Sequence, residues 1–128
     1  MTHKRLERWS ARAELALFTG RTRRELNHTL KGTDANRIFR RAVTMDDVKK
    51  GKPDPEGLRL LLNGVSPREA LYLGDNIDDA LSAKRACVPF LGVLPHGSKA
   101  HSARATKLRE LGALEILHSV RDLEKFWA

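Results

Sequence analysis

Apolar residues along this chain fall into two rhythms. Some recur every three to four positions among charged neighbours, and others form short unbroken runs. The first rhythm opens the chain. Leu6 and Trp9 stand among Lys, Arg and Glu, which predicts a charged amphipathic helix over 3–12. Residues 13–18 are apolar apart from Glu14 and predict a first strand. Thr22-Arg23-Arg24-Glu25 has the Thr-x-x-Glu form of a capping box, so a helix should follow over 23–31, with Leu26 and Leu30 on one face and Gly32 at its end. Residues 39–44 predict a second strand. Asp54 should cap a helix beginning at Pro55, buried along Leu58, Leu61 and Leu62 and ended by Gly64. Ser66-Pro67-Arg68-Glu69 reads as a further capping turn, leading into a strand over 70–73. A small-residue helix over 80–86, a strand over 88–94, a helix over 102–112, a strand-like 115–117 and a last short helix over 120–127 complete the pattern. Short, nearly continuous apolar strands alternating with helices predict an α/β fold, a parallel sheet with helices on both faces.

Composition adjusts this picture in three ways. At 128 residues and 41% apolar content, the chain is expected to form one domain, residues 1–128, with a real core. Its apolar runs are too short to span a bilayer, and its charged start lacks the apolar stretch of a secretory signal. With Cys87 as the single cysteine, there is neither an internal disulfide nor a thiolate cluster, and a cytoplasmic address is the default expectation. Charge is uneven. Residues 1–50 carry 13 basic against 6 acidic side chains, and residues 51–128 carry 11 against 10. A nucleic-acid face is one meaning of such an excess. A solvated arginine-rich surface that attracts small anions is the plainer one, because only Trp9 and Phe18 offer aromatic rings among the basic residues of the first 30 positions.

In parallel sheets ligands sit beyond the carboxyl ends of the strands, so the chemistry should follow each strand. The first strand ends in Thr19-Gly20-Arg21, a hydroxyl beside a permissive glycine and a helix start, suited to an anionic oxygen or to a simple cap. Gly51-Lys52-Pro53-Asp54-Pro55 holds Lys52 as a point charge on a stiff turn, suited to neutralising a phosphate. A later strand ends in Gly74-Asp75-Asn76-Ile77-Asp78-Asp79. Helix capping accounts for one of its three acids; hard oxygen donors for magnesium account better for the set.

Thr19, Lys52 and Gly74-Asp75 with Asp79, in that order, resemble the haloacid dehalogenase (HAD) superfamily of hydrolases, and the Lys-Pro turn is close to its phosphoglycolate-phosphatase-like subfamily. The resemblance runs from about residue 13 to the C-terminus. It implies a HAD-like Rossmannoid core and magnesium-dependent hydrolysis of a phosphate monoester, with a small phosphorylated metabolite as substrate. It further implies that Thr19, Lys52, Asp75 and Asp79 are catalytic, that Thr19, Gly20 and Lys52 bind phosphate, and that Asp75 and Asp79 serve Mg2+, with Asp79 holding its waters or orienting Lys52. Cys87 stands where the family has a glycine and is expected to be a small buried thiol without a catalytic role.

One part of the family pattern is missing. Its nucleophile is an aspartate, followed two residues later by a second, after a first strand at the centre of the sheet. No two aspartates here are separated by a single residue, and none precedes Thr19. The resemblance therefore implies an incomplete core, without the central first strand or the inserted cap domain. The chain alone should be inactive, with its nucleophile supplied by a missing N-terminal segment or a second chain. Two alternatives stand beside this: a catalytically silent phosphate- and magnesium-binding module, and a basic nucleic-acid-associated domain. The carboxylate cluster argues against the last.

Overall fold

A computed structural model describes residues 3–33, 35–95 and 101–125. It contains α1 (His3–Ser10), β1 (Leu15–Phe18), α2 (Arg23–Leu30), α3 (Ala35–Ile38), β2 (Phe39–Val43), α4 (Glu56–Leu62), β3 (Tyr72–Gly74), α5 (Ile77–Ala86), β4 (Phe90–Val93), α6 (His101–Glu110) and β5 (Ala113–Leu117). Single turns of 3-10 helix occupy Met45–Asp47 and Pro67–Glu69, and a longer one runs over Val120–Lys125. The α/β order is the expected one. Positions 126–127 of the expected last helix lie outside the described residues. Among the described residues no helix is long and apolar enough to cross a membrane.

All strand pairs are parallel, but they form two sheets: β1 with β2, and β3-β4-β5. β1 and β3 are not hydrogen-bonded to each other, so each has one edge without a ladder partner, as expected of a core lacking its central strand. Unpaired edges of this kind are templates for another strand.

Side chains nevertheless cross the divide. On one face Phe18 of β1 and Tyr72 of β3 pack together, ring centroids 5.8 Å apart, and Tyr72 packs on Phe90 of β4 at the same distance. They join Leu58, Ala80, Ala83, Leu108 and Ile116 beneath α4, α5 and α6. On the other face Leu15 of β1 and Leu73 of β3 meet Trp9 of α1, Leu91, Leu117 and Leu123. Helices thus cover both faces, with successive residues of each strand facing opposite ways.

Local chemistry explains most element ends. The Thr22 hydroxyl accepts from Glu25 N–H, the first half of the expected box. A full box forms at Thr44 instead, where the Asp47 carboxylate receives both the backbone N–H and the hydroxyl of Thr44. The expected side-chain cap at Ser66 does not form; the Ser66 carbonyl accepts Glu69 N–H, and Pro67 starts the turn by its fixed φ. Asp54 Oδ1 accepts Glu56 N–H as expected, one residue beyond the anticipated helix start.

Cys87 corrects the sequence expectation. It is exposed, because it ends α5 in the left-handed region (φ 62°), where the turn carries its side chain into solvent. A non-glycine residue there costs roughly 1–2 kcal/mol, partly offset by glycine's greater freedom in the unfolded chain. Cys87→Gly is therefore expected to stabilise the fold by about 0.5–1 kcal/mol. The check is the urea midpoint, and a lower midpoint for the variant would contradict this account.

Candidate active site

The carboxyl ends of β1 and β3 converge on Lys52. Its turn is fixed from several sides. Asp54 N–H bonds the Gly51 carbonyl, the buried Ser82 hydroxyl of α5 donates to the Asp54 carbonyl, and the Glu56 carboxylate accepts Lys49 and Lys50 N–H. Thus held, Lys52 Nζ lies 4.9 Å from the centroid of the Phe18 ring and 2.7 Å from Asp79 Oδ1. The pair is largely withdrawn from water, with side-chain exposures of 17% for Lys52 and 5% for Asp79.

Asp79 is the hub. Asn76 Oδ1 accepts Asp79 N–H and so starts α5 with Asp79 in its first turn. The Asp79 carboxylate accepts from Lys52 Nζ, from Tyr72 OH at 2.7 Å and from Asp75 N–H at 3.2 Å. Gly74 makes room for it: a Cβ at position 74 would stand 2.6 Å from the Asp79 Cβ and Oδ2.

Thr19 follows Phe18 directly. Its N–H bonds the Val43 carbonyl and its Oγ1 accepts Arg21 N–H at 3.1 Å, leaving the hydroxyl hydrogen for another acceptor. A Cβ at Gly20 would meet nothing within 4 Å, so the space beside Thr19 is open. The structure brings Lys52, Asp79 and the Asp75 backbone into contact and sets Thr19 beside the Phe18 ring that Lys52 covers. Asp75 and Asp78 are exposed, and their carboxylates accept no hydrogen bond from other described residues.

No three His, Cys, Asp or Glu side chains converge on one point among the described residues. This donor set still fits magnesium, a hard cation that keeps several waters and takes one or two carboxylates. Asp75 offers a free carboxylate at the strand end, whereas the Asp79 oxygens are already engaged.

The sequence profile of the haloacid dehalogenase-like hydrolases matches residues 4–93, well over half of the chain. The chain belongs to the haloacid dehalogenase-like hydrolase family. It is 42% identical over 82 residues to the pyrophosphatase PpaX of Bacillus velezensis, a stretch covering 62% of the chain and 38% of that relative. It is 35% identical over 77 residues to phosphoglycolate phosphatase 1 of Pseudomonas aeruginosa, covering 59% of the chain and 28% of the relative. A subfamily IA hydrolase of the same superfamily from Geobacter sulfurreducens superimposes with a TM-score of 0.76 at 27% identity, covering 98% of the chain and 53% of that structure. The chain spans well under half the length of these curated relatives and about half that of the solved one.

Within this HAD-like frame, sequence reasoning missed Tyr72. A tyrosine two residues before Gly74-Asp75 shares that glycine's side of the strand, which was the available signal. Burial, and then the charge and hydrogen bond of Asp79, raise its phenol well above the usual 10.0. Because the folded-state value is raised, the stabilisation is complete below pH 10 and is lost as pH climbs above it. Tyr72 is the chain's single tyrosine, so tyrosinate absorbance should appear only together with alkaline unfolding. Tyrosinate forming near pH 10 in a chain that is still folded by circular dichroism would contradict this.

Proposed function

We propose that this chain is the phosphate- and magnesium-binding part of a HAD-type phosphatase that hydrolyses a small phosphate monoester through an aspartyl-phosphate. The observation carrying the reading is the buried Lys52–Asp79 pair at the strand ends, beside the open edges of β1 and β3. Thr19 and the space at Gly20 receive the phosphoryl oxygens. Lys52, aimed by Asp79, offsets the charge on phosphate and nucleophile. Asp75 would hold magnesium directly and Asp79 would touch its waters; the ion's contribution is to neutralise phosphoryl oxygens.

The nucleophilic carboxylate comes from a strand between β1 and β3, carried by a segment or chain beyond these residues. Its oxygen bonds to phosphorus as the ester P–O bond breaks and the leaving oxygen takes a proton. Water then releases inorganic phosphate and restores the carboxylate.

The test is magnesium-dependent hydrolysis of p-nitrophenyl phosphate. The assay compares the chain alone, the chain with an added apolar segment ending in Asp-x-Asp, and each with Asp75→Asn. Turnover is expected only with the segment, and the substitution should abolish it. Phosphate binding without turnover in every mixture would leave a silent binding module. Turnover by the chain alone, lost on Asp75→Asn, would place the nucleophile elsewhere.

A further inference from the structure

Lys52 has one hydrogen-bond acceptor among the described residues, Asp79 Oδ1. A single hydrogen bond fixes a distance but not a direction, and this ammonium ends a flexible four-carbon stem. Its second contact is the face of the Phe18 ring, whose centroid lies 4.9 Å from Nζ. At that separation a cation is drawn to the negative face of an aromatic ring. Lys52 is largely withdrawn from water, so the attraction is stronger than at an open surface. Asp79 takes one of the three N–H groups and the ring covers another side, which leaves the rest for an anion.

The ring is itself held on two further sides. A Cβ at Gly57 would overlap its Cε1 and Cζ atoms, so the ring lies directly against the backbone of α4. Tyr72 packs on it with the ring planes 40° apart, and the Tyr72 hydroxyl donates to the same Asp79 oxygen as Lys52. Phe18, Lys52, Asp79 and Tyr72 therefore close a circuit of contacts. Phe18 also directly precedes Thr19, whose N–H is bonded to the Val43 carbonyl, so ring and hydroxyl share one tethered strand end. Leucine in place of Phe18 would offer no negative face and would set the ammonium against bare hydrocarbon.

We propose that Phe18 is a positioning residue of the phosphoryl site: its ring face sets where the Lys52 ammonium stands relative to the Thr19 hydroxyl. This rests on the phosphoryl-site reading above. Asp79 supplies the opposite charge, and the ring supplies the direction.

The test is calorimetric binding of methylphosphonate, which resists hydrolysis, to the whole chain with magnesium. Phe18→Leu should weaken binding about fivefold or more, but it also alters packing. Site-specific incorporation of difluoro- and pentafluorophenylalanine at position 18 separates the two effects, because fluorine empties the ring face while largely keeping its shape. Affinity should fall stepwise with fluorine number, by about five- to tenfold in all, without a matching fall in the urea midpoint. In Lys52→Gln the same series should change nothing, since the cation is gone. The series at Phe90, which touches Tyr72 but has no cation over its ring among the described residues, should leave affinity unchanged. Affinity indifferent to fluorine at position 18, yet weakened by Lys52→Gln, overturns this inference and keeps the phosphoryl site. A loss that tracks the urea midpoint, persists in Lys52→Gln or is matched at Phe90 makes the ring a packing residue and also overturns it. Methylphosphonate binding that is absent, or indifferent to Lys52→Gln, overturns both readings.

Discussion

Asp79→Ala is expected to lower the unfolding free energy by about 3 kcal/mol, toward the lower end of what breaking a buried ion pair costs. Three donors lose their acceptor at once: Lys52 Nζ, Tyr72 OH and Asp75 N–H. A buried hydroxyl without a partner costs roughly 1–3 kcal/mol by itself. Lys52 retains some access to water, 17% of its side chain, which keeps the total from rising further. Asp79→Asn keeps an oxygen acceptor and should lose less. Urea denaturation of both variants decides the matter. A loss below about 1 kcal/mol for alanine would mean that the pair does not hold this end of the molecule together.

Gly74→Ala is the second large effect, expected at about 2–3 kcal/mol. The new Cβ would stand 2.6 Å from the Asp79 Cβ and Oδ2. Its neighbour is the short, triply bonded side chain of a buried residue, so the strand or the start of α5 must move. Gly20→Ala is the control, since nothing lies within 4 Å of a Cβ there, and it should stay within about 0.5 kcal/mol of wild type. In the double variant Gly74→Ala/Asp79→Ala part of the clash is gone, so the losses should sum to less than their separate values. Equal losses for Gly74→Ala and Gly20→Ala would show that β3 and α5 yield freely.

Much of this arrangement was legible in the residues. Helices with a spaced apolar stripe and an explicit stop, such as α2 before Gly32 and α4 before Asn63 and Gly64, lie within a residue or two of their expected limits. The start of α5 was hidden, because its first turn, Ile77-Asp78-Asp79, is mostly acidic and reads as a loop; the Asn76 cap in fact begins the helix there. The single turns at Ala35–Ile38 and Met45–Asp47 carry no periodicity to detect. The order of Thr19, Lys52, Asp75 and Asp79 was visible, as was the gap beside β1. Tyr72 was not, since an aromatic residue in an aliphatic strand looks like core filling until its hydroxyl is seen on Asp79. The burial expected of Cys87 failed because residue type says nothing about a left-handed helix end.

The division of the sheet also bears on the order of assembly. β1, α2 and β2 lie within 29 residues of sequence, and β3 through β5 within 46. Each unit can therefore close from contacts among near neighbours, which form quickly because little chain entropy is lost. The contact of Phe18 with Tyr72, and the cluster that brings Leu15 and Leu73 together around Trp9, join residues more than 50 positions apart. Two half-sheets should mature separately and dock last along that line, where a strand from elsewhere would still find both edges unclaimed.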